Sequence, residues 1–465
     1  NEEPPFIDAT GTLAGALLGD VRHDPFQSGA DLATPAHERV EPGAVHRANK
    51  GVLYIDEIRM LRMEEQQALL VAMQEKALSI SGRSERSSGA LTKSEPVPTD
   101  FILIAAGNLD SIQNMHPALR SRIRGYGYEV YVNTDMPDTE KNRRRLIRFV
   151  SQEVVNERKK TSGKPIPHFD IESIGLILKE AQRRSGRRGR LSLRLRELGG
   201  LIRIAGDLAV EENAEITTAS HIIRARAIAK PLEQQVADRY LERQADYSMI
   251  VNKGERIGRV NGLAVLGADS GLSDYSGVVL PVEAMVTAAH GRSGQVIATG
   301  GLSDLAKESV TNISAVVKKL TGNDIKDFDV HVQFPGTHNV DGDSASITMA
   351  TAIISAFEGL PIEQNLAMTG SLSIRGEVLP IGGVSAKIEA AAKSGIETII
   401  IPRSNMQDVL IDEQYESMVT VIPVDSLDEV LKHALVGSED KVSLVERLAL
   451  VIDTISNTAD TQPSA

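Results

Sequence analysis

The sequence predicts a multidomain chain with an α/β unit, a helical unit and an α+β unit, in that order. Near the N-terminus, the apolar segments 51–58 and 101–108 suit buried strands, and polar side chains stand at their ends. Residues 136–246 carry apolar side chains at three- and four-residue spacing, which is typical of amphipathic helices. Beyond residue 255, strand-like segments alternate with helical ones.

The composition is that of an ordinary globular protein. Its 465 residues are 41% hydrophobic and 25% charged, enough for two or three domains. The net charge of −12 disfavours nucleic acid as a specific partner. The absence of cysteine excludes disulfides and a cysteine nucleophile and agrees with a reducing compartment, so we expect a cytoplasmic location. No signal peptide and no apolar run of about 18 residues is present.

Asp56, Glu57, Asn108 and Arg122 in the α/β unit together resemble the nucleotide site of AAA+ ATPases. Asp56 and Glu57 follow an apolar strand as in a Walker B motif, where the first acid holds Mg²⁺ and the second polarises the attacking water. Asn108 is similar to the γ-phosphate sensor of that family. Arg122 matches the arginine finger offered to a neighbouring subunit, and Arg120 is the competing choice.

The phosphate-binding loop of such a site is missing from the sequence. No Gly-x-x-x-x-Gly-Lys-Ser/Thr motif occurs, so the predicted ATP and Mg²⁺ site is incomplete, and we do not expect this chain to hydrolyse ATP alone. Phe26 lies in a loop rich in Asp, Ser and Gly. It either folds back on its own domain or grips a polypeptide, and the resemblance to ring ATPases favours the second role.

The predicted helices of the middle unit resemble the lid of an AAA+ ATPase. They are expected over 140–158, 171–184, 192–211 and 222–244, the last with a kink at Pro231. Arg196 matches the second sensor arginine, with Arg194 less favoured. The basic segment 183–190 is more simply explained as a solvated loop than as a phosphate site.

Ser344 is the candidate nucleophile of the α+β unit. Ile347, Ala350 and Ile354 follow it at helical spacing, so Ser344 lies beside the N-terminus of a helix. Backbone N–H groups and the helix dipole at that position suit an oxyanion. No histidine base is evident, although His338 leaves a weaker Ser–His alternative open.

Lys387 is the candidate base, 43 residues further on. Ser385 is predicted as the N-cap of a helix over 386–393, which places Lys387 in its first turn. The dipole and apolar neighbours such as Ile381 and Val384 lower the pKa of a lysine there, as a general base at neutral pH requires. Taken alone, Ser344 is more simply explained as a helix cap and Lys387 as a solvated side chain.

The sequence around Ser344 and Lys387 resembles the proteolytic domain of Lon proteases. Segments 334–346 and 368–383 carry the likeness together with Lys387, and the sequence Asp-Gly-Asp-Ser-Ala-Ser at 341–346 looks like the B-type, archaeal-style Lon. In that family the matching serine is the nucleophile and the matching lysine the base. The resemblance implies that Thr369 orients the lysine amine. Asp341 and Asp343 are expected to hold the lysine protonated and so oppose its role as a base.

The resemblance implies an ATP-dependent serine endopeptidase that degrades unfolded or regulatory proteins in a hexameric ring. We expect an AAA+ α/β subdomain without Walker A over 1–135, a helical lid over 136–248, a proteolytic domain over 249–440, and a helix with a disordered tail over 441–465. In B-type Lon the phosphate loop precedes this region, and a membrane segment lies between the two. The family works at the cytoplasmic face of the membrane. The alternatives are a Lon-like peptidase without ATP dependence and a non-proteolytic AAA+ scaffold.

Overall fold

A computed structural model describes residues 3–21, 36–82, 92–109, 112, 114–160, 164–246, 249–266, 276–289, 296–299, 328–335, 343–437 and 439–459. The chain divides into two compact units, Asn1–Val132 and Asn133–Ala465. The first contains the predicted α/β subdomain. The second contains both the helical lid and the α+β domain.

The first unit is built on a parallel sheet with the strand order β1-β4-β9. Its strands are β1 (Phe6–Asp8), β2 (Asp20–Val21), β3 (Val40–Glu41), β4 (Val52–Ile55), β5 (Ala77–Leu78), β6 (Ser81–Gly82), β7 (Thr92–Lys93), β8 (Val97–Pro98) and β9 (Ile102–Ala105). Its α-helices are α1 (Ala14–Leu18), α2 (Ala44–Arg47), α3 (Met63–Glu75) and α4 (Pro117–Tyr126).

The apolar side chains of β4 explain why this sheet forms. Leu53 and Ile55 are buried and pack with Leu17, Leu69 and Leu119 from the surrounding helices. The polar composition of residues 81–98 after α3 predicts a hairpin insertion, and the antiparallel pairs β5–β8 and β6–β7 form there. The carboxyl ends of β4 and β9 therefore meet at one edge of the sheet.

The lid is helical, as predicted. It contains α5 (Glu140–Lys160), α6 (Ile171–Ser185), α7 (Leu195–Glu211) and α8 (Ala219–Ile228), with the short strands β10 (Asp135–Pro137), β11 (His168–Phe169), β12 (Arg190–Ser192) and β13 (Ile216–Thr217). Asp170 caps α6 through its side chain, which accepts from the Ser173 amide at 2.7 Å. Apolar side chains of the helices, Ile177 and Ile202 among them, close the core.

The α+β domain contains a seven-stranded mixed sheet in the order β17-β18-β16-β15-β20-β23-β24. These and the other strands are β14 (Glu255–Ile257), β15 (Arg259–Leu266), β16 (Ser276–Ala288), β17 (Val296–Thr299), β18 (Phe328–Gln333), β19 (Pro361–Glu363), β20 (Leu366–Met368), β21 (Ser371–Leu372), β22 (Val378–Leu379), β23 (Thr398–Pro402) and β24 (Thr420–Val424). The helices are α9 (Leu232–Asp246), α10 (Ser346–Glu358), α11 (Val384–Lys393), α12 (Glu413–Glu416), α13 (Leu427–Ala434) and α14 (Glu439–Ala459).

Alternate residues of the central strands pack on opposite faces of this sheet. Met368 and Ile400 join the cluster that contains α10, whereas Ala367 and Ile399 join the cluster that contains α11. The two helices therefore cover opposite faces. The end of β20 lies between their N-termini, and this arrangement positions the candidate site.

Two element predictions differ from the structure. The helix expected over 222–244 is broken at Pro231 into α8 and α9, and α9 packs through Ala237 and Leu241 into the core of the α+β domain rather than into the lid. The sequence predicts a disordered tail over 457–465, but the last helix continues through Ala459. It also predicts a helix over 305–320, which lies outside the described residues.

Candidate active site

Ser344 is half-buried and stands two residues before α10 begins. The carbonyl oxygen of Asp343 accepts from the Ser346 amide at 3.0 Å and also from the Ser346 hydroxyl. The turn is therefore closed by its own backbone and by a serine side chain at the helix start. This geometry fixes the backbone on both sides of Ser344.

The end of β20 holds the serine turn in place. The Gly370 amide donates to the Ser344 carbonyl at 2.8 Å, and the Ile347 amide donates to the Gly370 carbonyl at 3.2 Å. A Cβ at Gly370 would lie 3.0 Å from Ile347 Cδ1 and 3.1 Å from Val378 Cγ1. Glycine at this position lets the strand approach the N-terminus of α10 closely.

The helix that carries Lys387 starts earlier than the sequence suggested. α11 begins at Val384, and Gly383 is its N-cap with φ of 68°, a left-handed conformation that favours glycine. The prediction that Ser385 caps the helix is wrong. The Ser385 hydroxyl donates to the Asp408 carbonyl and accepts from the Leu410 amide, both at 2.9 Å, so it fastens α11 to the next segment instead.

Lys387 is a buried amine in the core of the domain. Its side chain is 1% exposed, with Val384 and Ile388 among the buried apolar residues beside it. Burial lowers the pKa of Lys387 to about 7, and the opposing attraction of the Asp343 carboxylate only partly offsets this. A neutral amine is therefore well populated at neutral pH, as a general base requires.

Thr369 connects the two candidate catalytic residues. Lys387 Nζ donates to Thr369 Oγ1 at 3.1 Å, and the same hydroxyl donates to the Ser344 carbonyl at 3.1 Å. The threonine is fully buried. The contact between Thr369 and the lysine amine that the resemblance implied is thus present, and the hydroxyl also reaches the serine backbone.

A cavity of about 470 Å³ opens beside Ser344. Most of its walls belong to the α+β domain, namely Asp343, Ser344, Pro380, Ile381, Gly382, Ser404, Asn405, Gln407 and Asp408. One further wall residue, Arg187, belongs to the lid. Asp343 Oδ2 accepts from the Ser371 hydroxyl at 2.6 Å, which fixes the carboxylate near the serine. Asp341 and His338 lie outside the described residues.

Asn405 is a buried residue of this site that the sequence analysis missed. Its side chain binds both backbone polar groups of Ile381: it accepts from the Ile381 amide at 2.8 Å and donates to the Ile381 carbonyl at 2.9 Å. It therefore fixes the turn that leads into α11. A lone asparagine between Ser404 and Met406 gives no sequence signal for such a role.

The acids of the predicted Walker B motif lie at the carboxyl edge of the parallel sheet. Asp56 is exposed directly after β4, and its amide donates to Thr10 Oγ1, two residues beyond β1, at 3.0 Å. Glu57 adopts a left-handed φ of 53°. Asn108 is exposed after the adjacent strand β9. Among the described residues, no group of three His, Cys, Asp or Glu side chains forms a metal site.

The arginines predicted for the ATPase site all lie within the described residues. Arg122 lies on α4 with its guanidinium 3.9 Å from the centre of the Tyr126 ring, whereas Arg120 pairs with Glu129 at 3.1 Å. Arg196 is exposed at the start of α7 in the second unit. The predicted pore residue Phe26 lies outside the described residues.

Comparison with known proteins defines the class of protein that this fold and site represent. Residues 232–437 match the Lon protease (S16) C-terminal proteolytic domain, residues 168–230 match the AAA+ ATPase lid domain of archaeal LonB, and residues 27–119 match the sigma-54 interaction domain. The chain thus combines the proteolytic domain of a Lon-type serine peptidase with the lid of an AAA+ ATPase.

Full-length relatives narrow this to one family. The chain is 56% identical to the archaeal Lon protease of Thermoplasma acidophilum over 97% of its length and 68% of that protein. It is 57% identical to the archaeal Lon proteases of Thermoplasma volcanium and Archaeoglobus fulgidus, covering 68% and 70% of them. The chain belongs to the archaeal Lon protease family, the B-type Lon of the sequence analysis. No helix within the described ranges is long and apolar enough to cross a membrane.

Proposed function

We propose that Ser344 is the nucleophile and Lys387 the general base of peptide-bond hydrolysis in this Lon-type protease. The observation that carries the proposal is the buried Lys387 amine. Its pKa lies at about 7, and its hydrogen-bond partner Thr369 also holds the Ser344 carbonyl. This arrangement supplies a neutral base within a short, fixed path of the serine.

The reaction follows from these positions. Lys387 Nζ takes the proton of Ser344 Oγ as the oxygen attacks the scissile carbonyl, and the backbone N–H groups beside Ser344 stabilise the resulting oxyanion. The protonated amine then returns the proton to the leaving nitrogen, and an acyl ester remains on Ser344. Water attacks the ester as Lys387 takes its proton, and the amine then returns that proton to Ser344 Oγ as the acid leaves, which restores the free serine.

Thr369 and Asp343 support the pair without taking part in bond making. The Thr369 hydroxyl accepts from Lys387 Nζ and so directs the amine toward the serine turn. The Asp343 carboxylate attracts the protonated amine and moderates the fall of the lysine pKa that burial causes.

We further propose that the first unit contributes to an ATP–Mg²⁺ site. The exposed carboxylate of Asp56, the half-buried carboxylate of Glu57 and the amide of Asn108 stand at one sheet edge and offer the oxygen ligands and polar contacts that suit Mg²⁺ and phosphate. Asp56 would hold the ion, which supplies charge neutralisation at the phosphates, and Glu57 would orient the attacking water.

The remaining ATPase residues fit a ring of subunits. Arg122 acts as a finger toward the nucleotide of a neighbouring subunit and Arg196 as the sensor of the lid, which requires an oligomer, and we propose a hexamer at the cytoplasmic face of the membrane. Unfolded polypeptides are the substrates, and Phe26 grips them in the central pore.

Cleavage assays on the chain and three substituted forms test the proposed pair. Ser344→Ala and Lys387→Ala are expected to lower cleavage of unfolded casein and of a fluorogenic peptide by about 10² to 10⁴-fold. Thr369→Val removes both hydrogen bonds at nearly constant volume and is expected to cost about tenfold in kcat.

Thr369→Ser is the matched control, because it restores the hydroxyl without the methyl group and should recover most of the activity. Full activity in Lys387→Ala would rule out the proposed base. Wild-type activity in Thr369→Val together with a loss in Thr369→Ser would mean that packing of the methyl group, not the hydroxyl, is what the site needs.

A further inference from the structure

The loop between α6 and β12 brings the lid to the candidate active site. Arg187 lines the cavity that opens beside Ser344, and the backbone amide of its neighbour Arg188 donates to the Gln407 carbonyl at 2.9 Å. The sequence favoured a solvated basic loop here. Residues 186–189 are indeed exposed, and the loop also contacts the wall of the proteolytic cavity.

The loop presents Arg187 from a fixed backbone. Gly186 caps the C-terminus of α6 with φ of 66°, and Ser185 Oγ lies 3.0 Å from the Arg187 carbonyl and 3.1 Å from the Arg190 carbonyl. Arg190 Nε donates to Asp135 Oδ1 at 2.6 Å on the adjacent strand β10. The loop is therefore fastened at both ends and at Arg188, so its tip has a defined position.

Arg187 is the one basic residue among the described walls of this cavity. The two acids that share the walls already have contacts inside the proteolytic domain. Asp343 accepts from the Ser371 hydroxyl, and Asp408 Oδ2 accepts from Asn405 Nδ2 at 3.0 Å. Within the described part of the chain, no carboxylate lies at ion-pair distance from the exposed Arg187 guanidinium.

From these contacts we propose that Arg187 determines specificity by binding a carboxylate of the substrate peptide next to the scissile bond. The inference rests on the proposed function, since it takes the cavity beside Ser344 as the peptide site. A guanidinium presents a planar pair of N–H donors that matches a carboxylate and keeps its charge at every working pH. The carboxylate belongs either to an acidic side chain or to the C-terminus of the peptide.

A series of quenched fluorescent peptides tests the proposal. Each peptide has one cleavage bond and carries either Gln or Glu at one flanking position, and each is made with a free or an amidated C-terminus. The wild-type chain is expected to cleave the best Glu peptide about tenfold better in kcat/KM than its Gln counterpart, as a charge-assisted hydrogen bond provides. A preference for the free C-terminus instead would identify the terminal carboxylate as the ligand.

Arg187→Gln is expected to abolish this preference, and Arg187→Glu to reverse it. Arg188→Gln and Arg188→Glu are the matched controls, because Arg188 is exposed in the same loop and its side chain does not line the cavity. They should keep the wild-type preference. A peptide with no carboxylate provides the reference rate for every variant.

Three results would overturn the inference. One is equal wild-type kcat/KM for all Glu and Gln peptides, with either terminus. Another is a change of preference in the Arg188 controls as large as in the Arg187 variants. The third is a uniform loss in the Arg187 variants on all peptides, which would indicate a structural role. Cleavage of the uncharged peptide that persists in Ser344→Ala would instead refute the proposed function itself.

Discussion

Two opposing influences set the protonation of Lys387. Burial favours the neutral amine, and the Asp343 carboxylate favours the charged one; burial is the larger, so the pKa of Lys387 falls to about 7. A lysine pKa that is lowered this far reduces the stability of the folded protein, by about 1.4 kcal/mol for each pKa unit. The cost is retained at a position where a neutral amine is useful, which is typical of a functional residue.

Asp343→Asn is expected to shift the acid limb of the pH–rate profile to lower pH. The substitution removes the attraction that raises the pKa of Lys387, so the amine loses its proton at a lower pH, and the fraction of neutral base at a given acidic pH rises. The asparagine oxygen still accepts from the Ser371 hydroxyl. The measurement is kcat/KM for a small peptide between pH 5 and about 9, since the wild-type limb is centred near the lysine pKa of about 7.

Asp408→Asn is the control for this profile. Asp408 lines the same cavity but does not contribute to the lysine pKa, so its limb should stay at the wild-type position. A limb that moves to higher pH in Asp343→Asn, or that does not move, would show that Asp343 does not hold the proton on Lys387.

The candidate pair was predictable from sequence, but its supports were only partly so. Ser344 and Lys387 stand in helix starts that apolar spacing and glycines mark locally. The cap of α11 was misassigned to Ser385, because serine suits an N-cap at the start of a helical segment, and only its tertiary contact with Asp408 favours Gly383 instead. Asn405 could not be predicted, since its contacts with Ile381 arise from a turn 24 residues away.

At the scale of elements, one close approach positions α11 on the sheet. A Cβ added at Gly277 of β16 would lie 2.0 Å from the Ala386 carbonyl oxygen and 3.0 Å from Ala390 Cβ. The strand and the helix therefore touch backbone to backbone, directly beside Lys387. Glycine at this position of the strand lets the amine reach the end of β20.

Gly277→Ala is expected to displace α11 and to reduce peptide cleavage by at least about tenfold, with a loss of about 1 to 3 kcal/mol in stability. The displaced helix carries Lys387 away from Thr369, so the loss should fall mainly on kcat. Cleavage kinetics and the thermal midpoint of unfolding are the measurements. Wild-type values of both would mean that the helix does not need this contact.

Gly200→Ala is the matched control for Gly277→Ala. Gly200 lies inside α7, and a Cβ there meets no atom within 4 Å. Alanine favours a helix over glycine by about 1 kcal/mol, so this variant should be slightly more stable and equally active.

Element types were more predictable than element partnerships. The strands of the central sheet and the helices α5, α6 and α7 agree with their apolar periodicity to within a few residues. Periodicity identified α9 as a helix but not the domain that it joins. Its apolar side chains suit either core, and only the fold shows that Gln244 donates to the Val279 carbonyl of β16 at 3.1 Å.

At the scale of the whole molecule, ion pairs connect the lid to the helix that carries Lys387. Arg226 of α8 lies 3.3 Å from Glu180 of α6 and 2.8 Å from Asp412 of the proteolytic domain. The Asp412 amide in turn donates to Glu389 of α11 at 3.3 Å. Contacts thus run from the lid to a position two residues beyond Lys387.

Glu180 keeps this junction charged although it is buried. Burial raises the pKa of Glu180, but Arg183, Arg184 and Arg226 outweigh it and hold the pKa below its ordinary value. Glu180 retains two arginines when Arg226 is removed, so the lid should still fold. The substitution of Arg226 therefore tests the connection between the domains rather than the stability of the lid.

Arg226→Ala and Asp412→Asn are each expected to lower ATP-stimulated protein cleavage several-fold while peptide cleavage without ATP stays near wild type. The assay uses the chain joined to a phosphate-binding loop of the Walker A type, with and without ATP–Mg²⁺. Because both substitutions break the same ion pair, Arg226–Asp412, the double variant should lose no more stimulation than either single variant. Arg224→Ala is the control, since Arg224 pairs with Glu212 inside the lid and should leave the stimulation intact. Additive losses, or an equal loss in Arg224→Ala, would mean that this ion pair does not carry the signal of the ATPase to α11.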